Sequence, residues 1–209
     1  MKRVLYVTND DYNFYLMSEY FKQFADIELV SPKKLDIQVN FDYNGKLTEV
    51  ESAVKLAQAY YDLTKLPTIT NISGLYIDKF RQNEQPGQLI SNIDGKVYNS
   101  NELLVDDYIN RLLLRGGRSL AHYVKGLCFI DESGNIHTDT FDETEFLLTS
   151  KKCSRLRFNS GLECISFDLD AQKYFNERSK EEEQSFYKEL FDKCCDMVNS
   201  FLLNNARGK

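Results

Sequence analysis

The chain has 209 residues, 42% of them hydrophobic and 28% charged, and it carries a net charge of −6 at pH 7. A chain of this length buries roughly 70% of the surface that it exposes when unfolded, so it can form a substantial core. The acidic balance disfavours binding to nucleic acids, because that binding depends on clustered basic residues. No membrane span is expected, since a spanning helix needs about 20 apolar residues and the apolar runs here are short.

Cysteine usage and the N-terminus both bear on the cellular compartment. The five cysteines form no CxxC pair and cannot all pair with one another, which favours free thiols in a reducing compartment. Only two histidines are available, so a zinc site is not expected. The charged start Met1-Lys2-Arg3 has no long apolar stretch behind it and does not fit an export signal. A cytoplasmic location is therefore predicted.

Periodicity and turn residues divide the chain into strands and helices without an internal repeat or a linker. Thr48 and Glu51 have the spacing of a capping box, Pro67 ends the helix that follows, and Gly116-Gly117 ends another. Strands are predicted at 2–8, 27–30, 68–70, 75–77, 120–131, 136–140 and 146–149. Helices are predicted at 11–24, 48–65, 101–115 and 180–204. The prediction is one α/β domain over residues 1–209, in which a mixed β-sheet is flanked by helices.

The first candidate site is the segment Thr8-Asn9-Asp10-Asp11, which directly follows the first strand. Backbone N–H groups at the start of the next helix would bind phosphate there, helped by the helix dipole. The alternative is an ordinary N-cap, because Thr, Asn and Asp favour that position.

Two further positions allow both a functional and a structural interpretation. Glu51 lies near a helix start, where a single carboxylate is usually a capping residue. Ser73-Gly74 interrupts a strand pattern, which indicates either backbone brought close to a ligand or a bulge. Asp78 comes at the end of the same pattern. It allows two interpretations, a metal ligand or an exposed residue at a strand end.

Order and spacing of these motifs together are more specific than any one of them. The second helix begins Thr48-Glu49-Val50-Glu51-Ser52-Ala53, and the next segment runs from Leu66-Pro67 through Ser73-Gly74-Leu75 to Asp78. In both motifs and in the hairpin at 121–136, the chain resembles the inosine triphosphate pyrophosphatase family. Further matches are Pro86-Gly87, Ser91, Asn101 to Leu104, Gly161 to Cys164, Phe167 and the run from Glu177 to Glu183.

The resemblance implies two lobes around a central groove and cleavage of a nucleoside triphosphate to monophosphate and pyrophosphate with Mg²⁺. It implies a small-molecule nucleotide as partner, and a homodimer stays open as the assembly. The groove is expected to be lined by Thr8, Glu51 and Ser73, with Thr8 and Ser73 contacting phosphate. The implied catalytic residues are Glu51 and Asp78, and the implied metal ligands are Glu51, Asp10 and Asp11. The implied substrate-binding residues are Thr8, Asn9, Asn71, Ser73, Gly74 and Lys188.

The departures from the family pattern fall on its functional positions. Asn71-Ile72 stands where the family has an acidic pair, and Lys188-Glu189 stands where its His-Arg pair reads the purine. Asp11, Tyr12 or Asn13 and, later, Glu183 replace lysines that neutralise the triphosphate. Exchanging a phosphate-facing lysine for glutamate turns attraction into repulsion, which amounts to several kcal/mol at roughly 4 Å and an effective dielectric constant near 20.

Three hypotheses follow from the sequence. The first is a divergent nucleotide pyrophosphatase that acts on a changed substrate. The second is a catalytically degenerate member of the same fold that binds a nucleotide or a protein. The third is an unrelated α/β protein whose motif matches are coincidental, because fold alone does not fix function.

Overall fold

A computed structural model describes residues 1–8, 10–24, 26–41, 45–154 and 161–200. Its strands are β1 Lys2–Val7, β2 Ile27–Val30, β3 Thr68–Ile77, β4 Arg118–Ile130, β5 Ile136–Asp142, β6 Phe146–Thr149, β7 Ser166–Asp168 and β8 Lys173–Tyr174. Its helices are α1 Asp11–Phe21, α2 Glu49–Thr64, α3 Asn101–Leu113, α4 Lys180–Phe186 and α5 Lys188–Val198. No helix in the described ranges is long and apolar enough to cross a membrane. The predicted mixed α/β fold is confirmed.

The chain divides into two compact units, each built from separate segments. Unit 1 comprises Met1–Ile72, Lys125–Phe141 and Gln184–Lys209, and unit 2 comprises Ser73–Val124 and Asp142–Glu183. Strands β3 and β4 each contribute residues to both units.

The sheet of unit 1 has the strand order β2-β1-β3-β4-β5. The first three strands are parallel, with Val4 opposite Leu29 and Leu5 opposite Thr68. Because side chains alternate along a strand, Val4 and Tyr6 point to the face that α1 and α5 cover. Leu5 and Val7 point to the opposite face, where they pack against α2.

Helix α2 lies very close to the sheet of unit 1, and two contacts fix its position. The hydroxyl of Thr70 donates a buried hydrogen bond of 2.8 Å to the carbonyl oxygen of Ala53. A Cβ atom at Gly126 of β4 would lie only 2.2 Å from the carbonyl carbon of Glu49 and 2.3 Å from the nitrogen of Val50. The absent side chain at position 126 is therefore what allows the first turn of α2 to approach β4.

Unit 2 contains the strand order β3-β4-β6-β7-β8, and β6, β7 and β8 run antiparallel to their neighbours. A charged network orders the segment before α3. Asp107 accepts hydrogen bonds from Lys96 at 2.7 Å, Tyr98 at 3.0 Å and Arg111 at 2.6 Å. Arg111 also pairs with Asp94 at 2.6 Å, so α3 is joined to the loop that precedes it.

The structure corrects several predicted element boundaries. Ser73-Gly74 does not interrupt β3, because pairing along the sheet outweighs the weak strand preference of glycine. Ser100 rather than Asn101 caps α3, and its hydroxyl accepts a 3.3 Å hydrogen bond from Leu103. The predicted final helix is divided at Tyr187 into α4 and α5. Its predicted last residues, 201–204, lie outside the described part of the chain.

None of the five cysteines forms a disulfide, as the sequence predicts, and all five are buried. Burial raises the pKa of the Cys128 and Cys195 thiols to about 12 and that of Cys164 to about 11. It raises the pKa of Cys194 well above its ordinary value as well.

Candidate functional site

The connectivity of unit 1 creates a topological switch point at β1. From β1 the chain passes through α1 to β2 on one side of it, and then through α2 to β3 on the other side. The two connecting helices cover opposite faces of the sheet. In open α/β sheets such a reversal leaves a crevice beyond the carboxyl ends of the strands, where ligands commonly bind.

A cavity of about 620 Å³ lies at this switch point, within unit 1. Its size is in the usual range for small-molecule sites. We call it the switch-point cavity; its lining residues come from β1, α1, the segment after β2, α2 and β3. They are Tyr6, Val7, Thr8, Asn13, Gln38, Val39, Asn40, Phe41, Leu56, Tyr60, Asn71 and Ile72.

Hydrogen bonds orient the polar groups that line the switch-point cavity. The side-chain amide of Asn71 donates to the hydroxyl of Tyr6 at 2.8 Å. The backbone N–H of Val39 donates to the hydroxyl of Tyr60 at 3.3 Å. Both tyrosines are nearly fully buried, at 2% and 3% exposure, so they are fixed elements of the wall.

The start of α1 is capped by the side chain of Asp10, so its first backbone N–H groups are not open to a bound anion. One carboxylate oxygen of Asp10 accepts from the backbone N–H groups of Tyr12 at 2.8 Å and Asn13 at 3.2 Å. The other accepts from the side-chain amide of Asn13 at 3.2 Å, and Thr8 accepts from the N–H of Asp10 at 3.1 Å. The N-cap interpretation of this segment is thus confirmed, and the two N–H groups already have an anionic partner. Asn9 lies outside the described residues.

Glu51 forms the predicted capping box at the start of α2. Its carboxylate accepts from the backbone N–H of Thr48 at 2.8 Å and from the Thr48 hydroxyl at 3.0 Å. These two bonds, the backbone one first, lower the pKa of the Glu51 carboxyl. Glu51 is exposed and ionised, and it is not among the residues that line the switch-point cavity.

The described residues do not fit a preformed magnesium site. No three His, Cys, Asp or Glu side chains in the described ranges group as metal ligands would. Asp11, a predicted ligand, is exposed and pairs with Lys33 at 2.6 Å, while Asp10 and Glu51 serve as capping residues. Mg²⁺ can bind through one or two carboxylates together with substrate phosphates, so these carboxylates stay individual candidates.

The other predicted site residues lie in different parts of the chain. Lys188, at the start of α5 in unit 1, is exposed and pairs with Asp192. Ser73 and Gly74 belong to the part of β3 that lies in unit 2. Asp78, also in unit 2, is exposed, and its backbone N–H donates to the carbonyl oxygen of Leu120 at 3.0 Å. Of the predicted residues, the switch-point cavity brings together Thr8 and Asn71.

Sequence reasoning missed most of the cavity wall. Tyr6 has the pattern of a core residue in a strand, and Tyr60 that of a core residue in a helix. Residues 38–41 lie between the predicted strand at 27–30 and the predicted helix at 48–65, where no local pattern indicates a site. The signal that could have located them is the connectivity itself, since two helices on opposite sides of β1 predict a crevice at its carboxyl end.

Comparison with solved structures identifies the fold. A HAM1 protein from Coxiella burnetii matches with a TM-score of 0.79 at 16% identity, over 96% of this chain and 100% of that chain. The Ham1 protein of Staphylococcus aureus matches with a TM-score of 0.68 at 18% identity, over 87% and 89% of the two chains. A nucleoside-triphosphatase / dITP/XTP pyrophosphatase from Mycobacterium abscessus has a TM-score of 0.68 at 15% identity, over 94% and 98%. No protein-family model and no curated protein sequence matches the chain.

Proposed function

We propose that this chain is a divergent member of the inosine triphosphate pyrophosphatase family that cleaves a nucleotide to its monophosphate and pyrophosphate. The likeness of nearly the whole chain to a structure described as a dITP/XTP pyrophosphatase is the observation that carries the proposal. A ligand-sized cavity at the switch point of the sheet supports it independently, because that is where this topology commonly binds small molecules.

The proposed roles follow the positions at which the chain keeps a suitable side chain. Glu51 is the carboxylate proposed for catalysis, and its low pKa keeps it ionised near neutral pH. Asp78 is proposed as the second acidic group. Thr8, Asn9, Asn71, Ser73, Gly74 and Lys188 are proposed to contact the nucleotide.

We propose that activity requires Mg²⁺ and that the ion arrives bound to the phosphates of the substrate. A triphosphate carries about four negative charges, and phosphoryl transfer relies on cations to stabilise them. Glu51, Asp10 and Asp11 are the proposed protein ligands, although each already binds its own neighbours. Five buried thiols without a disulfide suit a reducing compartment, and a cytoplasmic location is proposed with them.

A second candidate function is nucleotide binding without hydrolysis. The observation that favours it is the environment of Asn71, at a position where the family carries a carboxylate. Its amide donates to the Tyr6 hydroxyl at 2.8 Å, and an uncharged carboxamide cannot take a proton from water as a carboxylate can. A protein of this kind would bind the nucleotide and release it unchanged.

The two functions are separated by measuring pyrophosphate release from a panel of ribo- and deoxyribonucleoside triphosphates, including inosine triphosphate, with Mg²⁺ and with chelator. The proposed enzyme releases pyrophosphate from at least one of them, and only with Mg²⁺. Glu51→Gln should abolish this release while keeping the fold, because a glutamine oxygen can still accept from Thr48. Glu102→Gln, at an exposed position in the first turn of α3, is the matched control and should keep the full rate. Binding without release from any nucleotide would support the second candidate instead.

A further inference from the structure

The two cysteines of unit 2 lie where the chain passes between neighbouring strands. Cys153 follows β6, and Cys164 precedes β7. Pairing between the two strands continues past their ends, because the backbone N–H of Thr149 donates to the carbonyl oxygen of Ile165 at 2.9 Å. The backbone N–H of Cys153 in turn donates to the carbonyl oxygen of Cys164 at 2.8 Å. The two cysteines are therefore neighbours in the fold although they are not neighbours in the chain.

This hydrogen bond limits the distance between the two Cα atoms. With standard bond lengths, the path from the Cα atom of Cys153 through its nitrogen and the bonded carbonyl oxygen to the Cα atom of Cys164 spans at most about 6.7 Å. Disulfides join residues whose Cα atoms are usually about 4.4–6.8 Å apart. The backbone thus already holds Cys153 and Cys164 within the distance that a disulfide bridges.

The side chains of the pair are enclosed by unit 2. Cys153 is 5% exposed and Cys164 is 2% exposed. The Sγ atom of Cys153 accepts a hydrogen bond of 3.7 Å from the side-chain amide of the buried Asn176. Burial is the main cause that raises the pKa of Cys164 to about 11, and the negative charge of a Cys153 thiolate adds to it. The two thiols are therefore close enough to interact electrostatically.

The three cysteines of unit 1 lack this arrangement. Cys194 and Cys195 are consecutive residues of α5, and consecutive Cα atoms are about 3.8 Å apart, which is below the usual range for a disulfide. Cys128 packs on the opposite face of the sheet from them. Within each unit, the geometry for a disulfide is therefore specific to Cys153 and Cys164.

We propose that Cys153 and Cys164 form a reversible disulfide when the surrounding thiol pool becomes oxidised, and that this disulfide ties the end of β6 to the segment before β7. The inference goes beyond the proposed function and does not depend on it. Disulfides of cytosolic proteins are usually transient and redox-sensing, so the pair is expected to rest as two thiols.

The co-reactant is a low-molecular-weight disulfide such as glutathione disulfide. Because both cysteines are buried, the exchange begins when the surrounding structure opens locally. One cysteine loses its proton, its thiolate attacks a sulfur atom of glutathione disulfide, and one glutathione leaves as a thiolate. The thiolate of the second cysteine attacks the protein sulfur of this mixed disulfide and releases the second glutathione. The pair is thereby oxidised by two electrons, and glutathione disulfide is reduced to two glutathiones that take up the two protons.

The test is equilibration of the native full chain with glutathione and glutathione disulfide over a wide range of ratios, followed by acid quenching, denaturation, alkylation and mass spectrometry. Trypsin cuts after Arg155 and Arg157, so a disulfide between Cys153 and Cys164 joins two separate peptides. These joined peptides should appear while the three cysteines of unit 1 are recovered alkylated. The proposal is overturned if Cys153 and Cys164 are recovered alkylated or carry only glutathione, or if another pair joins first.

The same titration in urea separates the effect of the fold from that of proximity in the chain. Because the native backbone holds the two cysteines together, the equilibrium constant for forming the disulfide should be at least tenfold larger in the native chain than in the unfolded chain. An equal or smaller constant in the native chain would mean that the native geometry opposes the disulfide, and the proposal would then be wrong.

Substitution and hydrogen exchange test the tie between the strands. Oxidation should slow amide hydrogen exchange at Thr149 and Cys153 at least threefold, because their N–H groups bond the two segments that the disulfide joins. Cys164→Ala should form no intramolecular disulfide and show no slowing in the same glutathione mixture. Cys128→Ala, at a buried cysteine of unit 1, is the matched control and should behave like the unsubstituted chain. Unchanged exchange in the oxidised chain would overturn the proposed tie.

Discussion

Gly126→Ala should strongly destabilise unit 1, because the new methyl group would enter the backbone of α2. Its Cβ would lie 2.2 Å from the carbonyl carbon and 2.5 Å from the carbonyl oxygen of Glu49, whereas ordinary contacts begin at 3.4 Å. The first turn of α2 must therefore move by about 1 Å. Overpacking of this kind costs about 3 kcal/mol or more, which corresponds to a fall in Tm of ~6–12 °C for a chain of this size.

The measurement is thermal and urea-induced unfolding of the variant beside Gly87→Ala. Gly87 has φ of +50° and no atom near the position of a Cβ, so its substitution costs only the backbone strain of about 1 kcal/mol. Since Tyr60 of α2 lines the switch-point cavity, Gly126→Ala should also weaken binding of the proposed nucleotide. A Gly126→Ala variant that unfolds at the same temperature as Gly87→Ala, or above it, would refute this account of how α2 is placed.

Three further predictions concern the turn after β4, the network before α3 and the choice of base. Asp131→Ala should lower the free energy of unfolding by about 2 kcal/mol in urea titrations, because the buried carboxylate accepts two backbone N–H groups, the Asn135 amide and the His137 ring. Burial alone would raise the pKa of Asp107, but its bonds to Lys96, Arg111 and Tyr98 lower it overall. The ionised Asp107 carboxylate therefore stabilises the fold above the unfolded pKa of about 3.9, and this stabilisation is lost as the pH falls through the lower folded pKa. The difference in unfolding free energy between Asp107→Asn and the unsubstituted chain should therefore become smaller in acid. Inosine triphosphate should be a poor substrate in kcat/KM comparisons, because Lys188-Glu189 cannot form the hydrogen bonds of the family's His-Arg pair. A tenfold preference for inosine triphosphate would contradict the placement of the base-reading residues at Lys188-Glu189.

Local signals in the sequence predict much of the fold. The bounds of β2 and β6 agree with their predictions, because short β-branched or apolar runs are bounded there by turn residues. The capping box of Thr48 and Glu51 likewise fixes the start of α2. The errors arise where long-range strand pairing determines the structure. At Ser73-Gly74 the local residue preferences predict a break in the strand, but pairing within the sheet keeps β3 extended. Strands β7 and β8 are too short to show a period of two.

The candidate site is less accessible from sequence. The sequence makes Thr8 and Asn71 candidates because they follow or lie within strands at motif positions, and both line the switch-point cavity. Tyr6 and Tyr60 have the same burial pattern as core residues, and only the tertiary arrangement turns their hydroxyls into part of a wall. Asp10 and Glu51 fit both a cap and a functional role in sequence, and the structure shows the hydrogen bonds of caps.

In each unit, a buried thiol can report how often the structure around it opens to solvent. The thiolate is the form of cysteine that attacks alkylating reagents, and the raised pKa of Cys128 and Cys195 in unit 1 leaves almost no thiolate at neutral pH. Cys164 reports in the same way on unit 2. The rate at which each cysteine is alkylated in the native protein therefore measures how often its surroundings open, and mass spectrometry resolves the two units within one sample. A ligand that occupies the switch-point cavity would slow the labelling of Cys128 and Cys195 and leave that of Cys164 as it was.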